Sequence, residues 1–198
     1  MSRIRANTIT NKAATGAPTF SNGAVVTGVC TATSFAGSGA ALTGISAGLF
    51  SSYAIITHEK SNNTHGSSLS TGNYLDRELN TEVADPDGIV SISGNQFTLQ
   101  AGSYLIESMS IIHRGNQSQS RLYNVTDSSV VQYGMSVHCS DGHSGNVLSP
   151  VVARVTIGSA KTFSIQSRVS NSDGENSGLA NNFGNTQIYA IIKIFKEN

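Results

Sequence analysis

From residue 53 onward, apolar and polar residues alternate with the period of two that a half-buried strand requires. In TQIYAIIKIF (186–195), Ile188, Ala190, Ile192 and Ile194 fall on one side, and Tyr189, Ile191, Lys193 and Phe195 on the other. In TFSIQSRV (162–169), Phe163, Ile165 and Val169 oppose Thr162, Ser164, Gln166 and Arg168. The run SYLIESMSIIH (103–113) is partly apolar on both sides, with Tyr104, Ile106 and Ile112 opposing Leu105, Met109 and Ile111. It follows an apolar hook, Phe97 and Leu99, and a turn at Gly102. The same reading predicts strands at 53–58, 74–80, 89–92, 96–99, 119–125, 129–137 and 147–157. Turn residues punctuate them at Gly72–Asn73, Pro86–Asp87–Gly88, Gly94–Asn95, Gly115–Asn116, Asp127–Ser128, Gly158–Ser159 and Gly184–Asn185. No long window keeps a helical period. The expected class is all-β: a two-sheet jelly-roll sandwich rather than a seven-stranded immunoglobulin sandwich.

In a lone sandwich the outer face of each sheet should be polar. The second apolar faces of 103–113 and 186–195 therefore predict subunit contact, with Leu105, Met109, Ile111, Tyr189, Ile191 and Phe195 as the interface candidates.

Residues 1–48 follow another rule. Their large apolar residues are few, so they build no core of their own. Yet VVTGVCTATSF (25–35) is strand-like, with Val25, Thr27, Val29, Thr31, Thr33 and Phe35 on one face and small residues on the other. Such strands gain burial by wrapping around copies of themselves. The expected organisation is an attachment and trimeric shaft segment over 1–48 and a head domain over 49–198, with SAGLFSS (46–52) as connector.

Charge narrows the partners. Charged residues are 12% of the chain, about half the usual share, and twelve basic residues balance twelve acidic ones. No cationic footprint for nucleic acid is present. No apolar run is long enough for membrane insertion as a helix. MSRIRANTITNK lacks the apolar core of a secretory signal, which predicts folding in a cytosol. Two cysteines far apart, Cys30 and Cys139, predict free thiols rather than a disulfide.

Candidate chemistry is sparse. His138-Cys139-Ser140-Asp141-Gly142-His143 is the one dense set of metal-ligand types, but it lacks the second pair that zinc sites use. Asp85, Asp87 and Asp141 are oxygen donors of the kind calcium takes, although ADPDG is an ordinary turn sequence. Glu78 and Glu107 sit in β-patterned runs, where a lone carboxylate is normal. There is no nucleophile elbow and no phosphate-binding glycine loop. The expectation is no enzyme, no metal and no cofactor.

SFAGSGAALTGI (34–45) resembles a motif of bacteriophage fibre shafts, and RANTITNKAATGAPTFSNGAVVTG (5–28) resembles the start of such virion appendages. FTLQAGSYLIESMSI resembles the tight turn and Gly-x-Tyr strand of the C1q/tumour-necrosis-factor jelly roll. RLYNVTDSSVVQYG, AKTFSIQSRV and GLANNFGNTQIYAIIKIFKE are similar to the matching segments of C1q-like domains at the ends of phage fibre proteins. The resemblance covers about residues 53–197. It implies a homotrimer with the last strand near the three-fold axis. It also implies a place in a virion assembled in a bacterial cytoplasm, anchored to other virion proteins through the N-terminal segment. The head would face outward and contact a host surface glycan or protein through loops 60–73, 114–119, 138–147 and 170–184. His143, Asn146, Asn171 and Asn176 are its candidate contacts. The alternative is a decoration protein bracing the phage head.

Overall fold

The computed structural model describes residues 9–17, 19–20, 22–31, 48–139 and 145–198. The chain divides into two units, Met1–Ile45 and Ser46–Asn198.

In the first unit, Asn11 organises a turn: its side chain accepts the Thr15 N–H and its carbonyl the Ala14 N–H, both at 2.9 Å. No strand forms among the described residues 9–31. Val25 and Val29 are almost wholly exposed. A lone β-branched segment has no ladder to join and no surface to cover its faces. The expected strand at 25–35 is therefore absent from its described part, 25–31, and residues 32–35 lie outside the described residues.

The second unit is a sandwich of antiparallel sheets. Its strands are β1 (Phe50–Lys60), β2 (Leu75–Asp76), β3 (Thr81–Ala84), β4 (Val90–Ser93), β5 (Gln96–Leu99), β6 (Gly102–His113), β7 (Asn116–Asn124), β8 (Ser129–Cys139), β9 (Asn146–Ile157), β10 (Lys161–Val169) and β11 (Gln187–Glu197). One sheet runs β3-β1-β11-β6-β9 and the other β4-β5-β10-β7-β8, with the short β2 also on β10. Gly94 and Asn95, both at positive φ, close the two-residue β4–β5 hairpin. The hook that follows is fully buried at Phe97, Leu99 and Tyr104, and the Tyr104 hydroxyl donates back to the Gln100 carbonyl at 3.1 Å.

The main core fills the gap between sheets with Ile56, Phe97, Leu99, Ile106, Leu122, Phe163, Ile165, Ile192 and Ile194, among others. A smaller cluster, Leu69, Ile112, Cys139 and Val169, lies apart from it. The interior also carries small hydroxyls: Ser108, Ser110, Ser120, Ser149 and Ser167 are all buried. A bulge between Gln119 and Arg121 turns the Ser120 N–H off the β7–β8 ladder, and Ser149 Oγ on the opposite sheet accepts it at 2.9 Å. At this closed edge Gly134 lies so near β9 that a Cβ would stand 2.3 Å from the Pro150 carbonyl oxygen.

Within the second unit two expectations change. The strand expected at 74–80 is reduced to Leu75–Asp76, and the Thr81–Ala84 strand was not anticipated. The interruption is Arg77, whose N–H still bonds the Ile165 carbonyl while its side chain is wholly buried. The start of β11 also reverses face. His58 pairs with Ala190 but Glu59 pairs with Ile188, so Tyr189 is an extra residue. The bulge turns Tyr189 inward, 4% exposed, and Ile188 outward, 47% exposed. Tyr189 is therefore an interior residue, not an interface candidate, and Ile188 takes its place on the outer face.

Candidate functional site

The loops between β1 and β2 and between β10 and β11 form a cap tied by backbone bonds: Gly66 N–H to the Gly178 carbonyl, Ser177 N–H to Ser67, and Asn63 N–H to Asn181. Asn176 is the knot. Its Oδ1 accepts the Asp173 and Leu69 N–H groups, and its Nδ2 donates to the His113 and Asn171 carbonyls. It is fully buried, so it is a structural tether and not the surface contact expected from its loop position. Asn171 is half-buried and donates to the Arg114 carbonyl. Asn146 is exposed and its Oδ1 lies 2.9 Å from Nδ1 of the buried His113. His143 lies outside the described residues. The three described asparagines thus gather around His113 and Arg114, but one is exposed, one half-buried and one buried, so they do not form one surface contact. The expected loop at 114–119 is mostly strand, since β7 begins at Asn116.

Beneath the cap lies a polar group that sequence patterning missed. The Arg77 guanidinium donates through Nη2 to the Ser177 carbonyl at 2.9 Å and the Tyr189 carbonyl at 3.3 Å. Its backbone is bonded to β10 in one sheet, so this side chain ties both the other sheet and the cap. Burial lowers its pKa to about 10, still charged at neutral pH, with Glu78 acting in the opposite sense. His58, fully buried, sits edge-on to the Tyr189 ring, and its Nε2 is 2.9 Å from Glu78 Oε2. Burial first, then the Arg77 charge, lowers the His58 pKa to about 4, against the pull of Glu78. Burial alone would raise the Glu78 pKa, but Lys60 at 2.6 Å, Ser67 and His58 bring it below the ordinary value. Gly178, at positive φ, lies flat against the Tyr189 ring, where a Cβ would come within 2.0 Å of a ring carbon.

Of the aspartates considered for calcium, Asp141 lies outside the described residues and the other two are already engaged. Asp85 accepts the Ile89 and Val90 N–H groups, and Asp87 accepts the Ser52 hydroxyl. Among the described residues no three His, Cys, Asp or Glu side chains group as a metal site. Glu78 is held by Lys60, and Glu107 stands across the register from Lys193 and Val152. Neither is arranged with the other as a catalytic pair. Cys139 is buried and Cys30 exposed, both as free thiols.

The two outer faces differ in chemistry. On the five-stranded sheet, register aligns Tyr53, Phe195, Leu105 and Arg154 in one row, Ile55, Lys193, Glu107 and Val152 in the next, then Thr57, Ile191, Met109 and Pro150, then Ile111 and Leu148. Tyr53, Met109, Leu148, Val152 and Ile188 are each more than a third exposed. Five of the six interface candidates, Leu105, Met109, Ile111, Ile191 and Phe195, share this face.

The outer face of the six-stranded sheet is polar and aromatic. Arg121 lies 4.0 Å over the Tyr74 ring and 4.8 Å from the Tyr123 ring, and its Nε donates to Gln166. The Tyr74 hydroxyl donates to Gln119 Oε1 at 2.8 Å, and Gln119 Nε2 donates to the Gly134 carbonyl and Ser136 Oγ. Burial and Tyr133 raise the Tyr74 pKa despite Arg121 and Arg168, so its hydroxyl stays protonated. Beside this network opens a cavity of about 450 Å³, lined among others by Tyr74, Gln117, His138, Arg168 and Ser170.

No family model matches the sequence, and no curated protein is significantly similar to it. Solved structures are similar in fold alone. The globular domain of zebrafish complement 1qA is 12% identical, with a TM-score of 0.49 over 74% of this chain and 99% of that one. An Eiger TNF from S. frugiperda is 11% identical, with a TM-score of 0.50 over 74% of this chain and 92% of that one. Murine APRIL is 9% identical, with a TM-score of 0.47 over 73% and 98%. With its helix-free pair of antiparallel sheets, the described head of this chain has the C1q/TNF-like jelly-roll fold.

Proposed function

We propose that this chain is the subunit of a homotrimeric, non-catalytic virion protein of a bacteriophage, with a jelly-roll head that contacts a host surface. The observation that carries the assembly is the apolar outer face of the five-stranded sheet. Rows of Phe, Leu, Ile and Met on a solvent-facing sheet are costly in a monomer and are the material of a stable interface. Lys193 and Glu107 lie side by side among them, opposite in charge, and would fix the packing register of neighbouring subunits.

The virion setting rests on the resemblance of residues 5–45 to fibre shafts. In this reading residues 1–48 anchor the protein to other virion components and form the shaft. Three copies of a weak site on each head, multiplied over the particle, supply avidity without a strong single site. Light scattering of the full chain is expected to give three times 20.7 kDa. Met109→Asp should give a folded monomer. A wild-type monomer at micromolar concentration refutes the assembly. Antibody labelling of phage particles checks the setting: label at the tail tip supports it, and label confined to the head favours decoration.

A further inference from the structure

We propose that the cavity on the outer face of the six-stranded sheet binds an acidic saccharide, with Arg168 taking the sugar carboxylate. This deepens the surface-contact reading above and rests on it for biological purpose, although the cavity belongs to a single chain.

Three observations carry the assignment. The first is charge. The lining presents Arg168 and His138 and, among the described residues, no carboxylate. Asp76, two residues from the lining Tyr74, is occupied by the amides of Gln96 and Gln166. In a chain with so few charges, a cation facing an acid-free cavity selects for an anion.

The second is free hydrogen-bonding capacity. Gln119 is engaged at both its oxygen and its nitrogen, but among the described residues the side chains of Arg168, Gln117 and His138 make no hydrogen bond or ion pair. Register brings them together: Arg168 stands across from Gln119 on β10 and β7, and Gln117 across from His138 on β7 and β8. The Ser170 oxygen already accepts the Gln117 N–H, which leaves its hydroxyl proton to donate. A guanidinium, an amide, an imidazole and a hydroxyl in one concavity match a carboxylate flanked by hydroxyls.

The third is rigidity. Tyr74 lines the cavity and is fixed by Arg121 over its ring and by its bond to Gln119, so this wall of the cavity is held in place without a ligand. A volume of about 450 Å³ is in the range of small-ligand sites. The position is also compatible with assembly, because the apolar face is on the opposite sheet.

The test titrates the full chain with glucuronate and with N-acetylneuraminate, following protein amide shifts by NMR, with glucose as neutral control. Binding of either acid in the millimolar range, at least tenfold tighter than glucose, is expected, and the tighter of the two names the source. Arg168→Gln should weaken it tenfold or more and remove its dependence on salt. Gln117→Ala should weaken it while leaving the salt dependence. Equal binding of glucose, indifference to Arg168→Gln, or no shifts with either acid overturns the proposal. Light scattering on the same samples separates the two readings. A trimer that ignores both acids loses this site but keeps its assembly, whereas a monomer that binds them does the reverse.

Discussion

Lowering the pH from 7 to 5 should destabilise the head through His58, and the size of the effect follows from its surroundings. The imidazole is fully buried against Tyr189 and beside the Arg77 charge, with Lys60 adding to the repulsion and Glu78 opposing it. Its folded pKa is about 4 against an ordinary 6.5. Between these values the unfolded chain holds the proton and the folded one does not. Stability is therefore unaffected above about pH 7 and falls as pH drops through 6.5 toward 4. At 1.36 kcal/mol per pH unit, the loss between pH 7 and pH 5 is about 2 kcal/mol, or about 4–8 °C in melting temperature for a domain this size. The assay is a thermal melt at fixed protein concentration, in steps of half a pH unit, on wild type and His58→Gln. Glutamine does not titrate, so the variant should start lower but lose less between pH 7 and 5. Keeping above pH 5 avoids the carboxylates, Glu78 included. A variant whose melting temperature falls as steeply as wild type over that window would refute the argument.

Gly178→Ala should cost at least about 3 kcal/mol by urea titration, because its methyl would overlap the Tyr189 ring at a positive φ. Asn176→Ala should cost about 2–4 kcal/mol in the same assay, since it strands backbone groups of both cap loops, and saccharide binding per folded molecule should not change. Ile192→Asp should prevent folding, as it places a charge in the main core, whereas Ile191→Asp should leave native circular dichroism and abolish the trimer mass.

Much of the head was legible because its strands obey the period of two. The hook at Phe97 and Leu99, the inward set Phe163, Ile165 and Val169, and both faces of 103–113 lie where alternation put them. Alternation failed where the backbone inserts a residue. Nothing in QIYAII marks the bulge opposite His58, since Ile188 and Tyr189 are both acceptable on either face, so one extra residue exchanged them. The buried Arg77 was hidden for a different reason. In YLDRELN a period of two sets Arg77 on the side of Leu75 and Leu79, but an arginine with no partner in the pattern reads as solvated. Only the β10–β11 loop, 100 residues later in the chain, supplies the Ser177 carbonyl that holds it. Asn176 failed likewise: a loop asparagine looks exposed until the second loop closes over it.

The surface chemistry divides along the same line. Apolar residues on the outer face of a strand are visible in sequence, because a period-two pattern assigns them to the face away from the core. That is why Met109, Ile111 and Ile191 lie on the outer face to which alternation assigned them. A polar site leaves no such mark. Gln117, His138 and Arg168 belong to three strands, and each reads alone as an ordinary solvent-facing residue. Only the register of β7 between β8 and β10 gathers them, and only the return of the β1–β2 loop sets Tyr74 beside them. The face that alternation reveals is the one suited to holding copies together. The face that topology assembles is the one left open to solvent, and it is there that a weak site repeated three times per assembly would gain most from avidity.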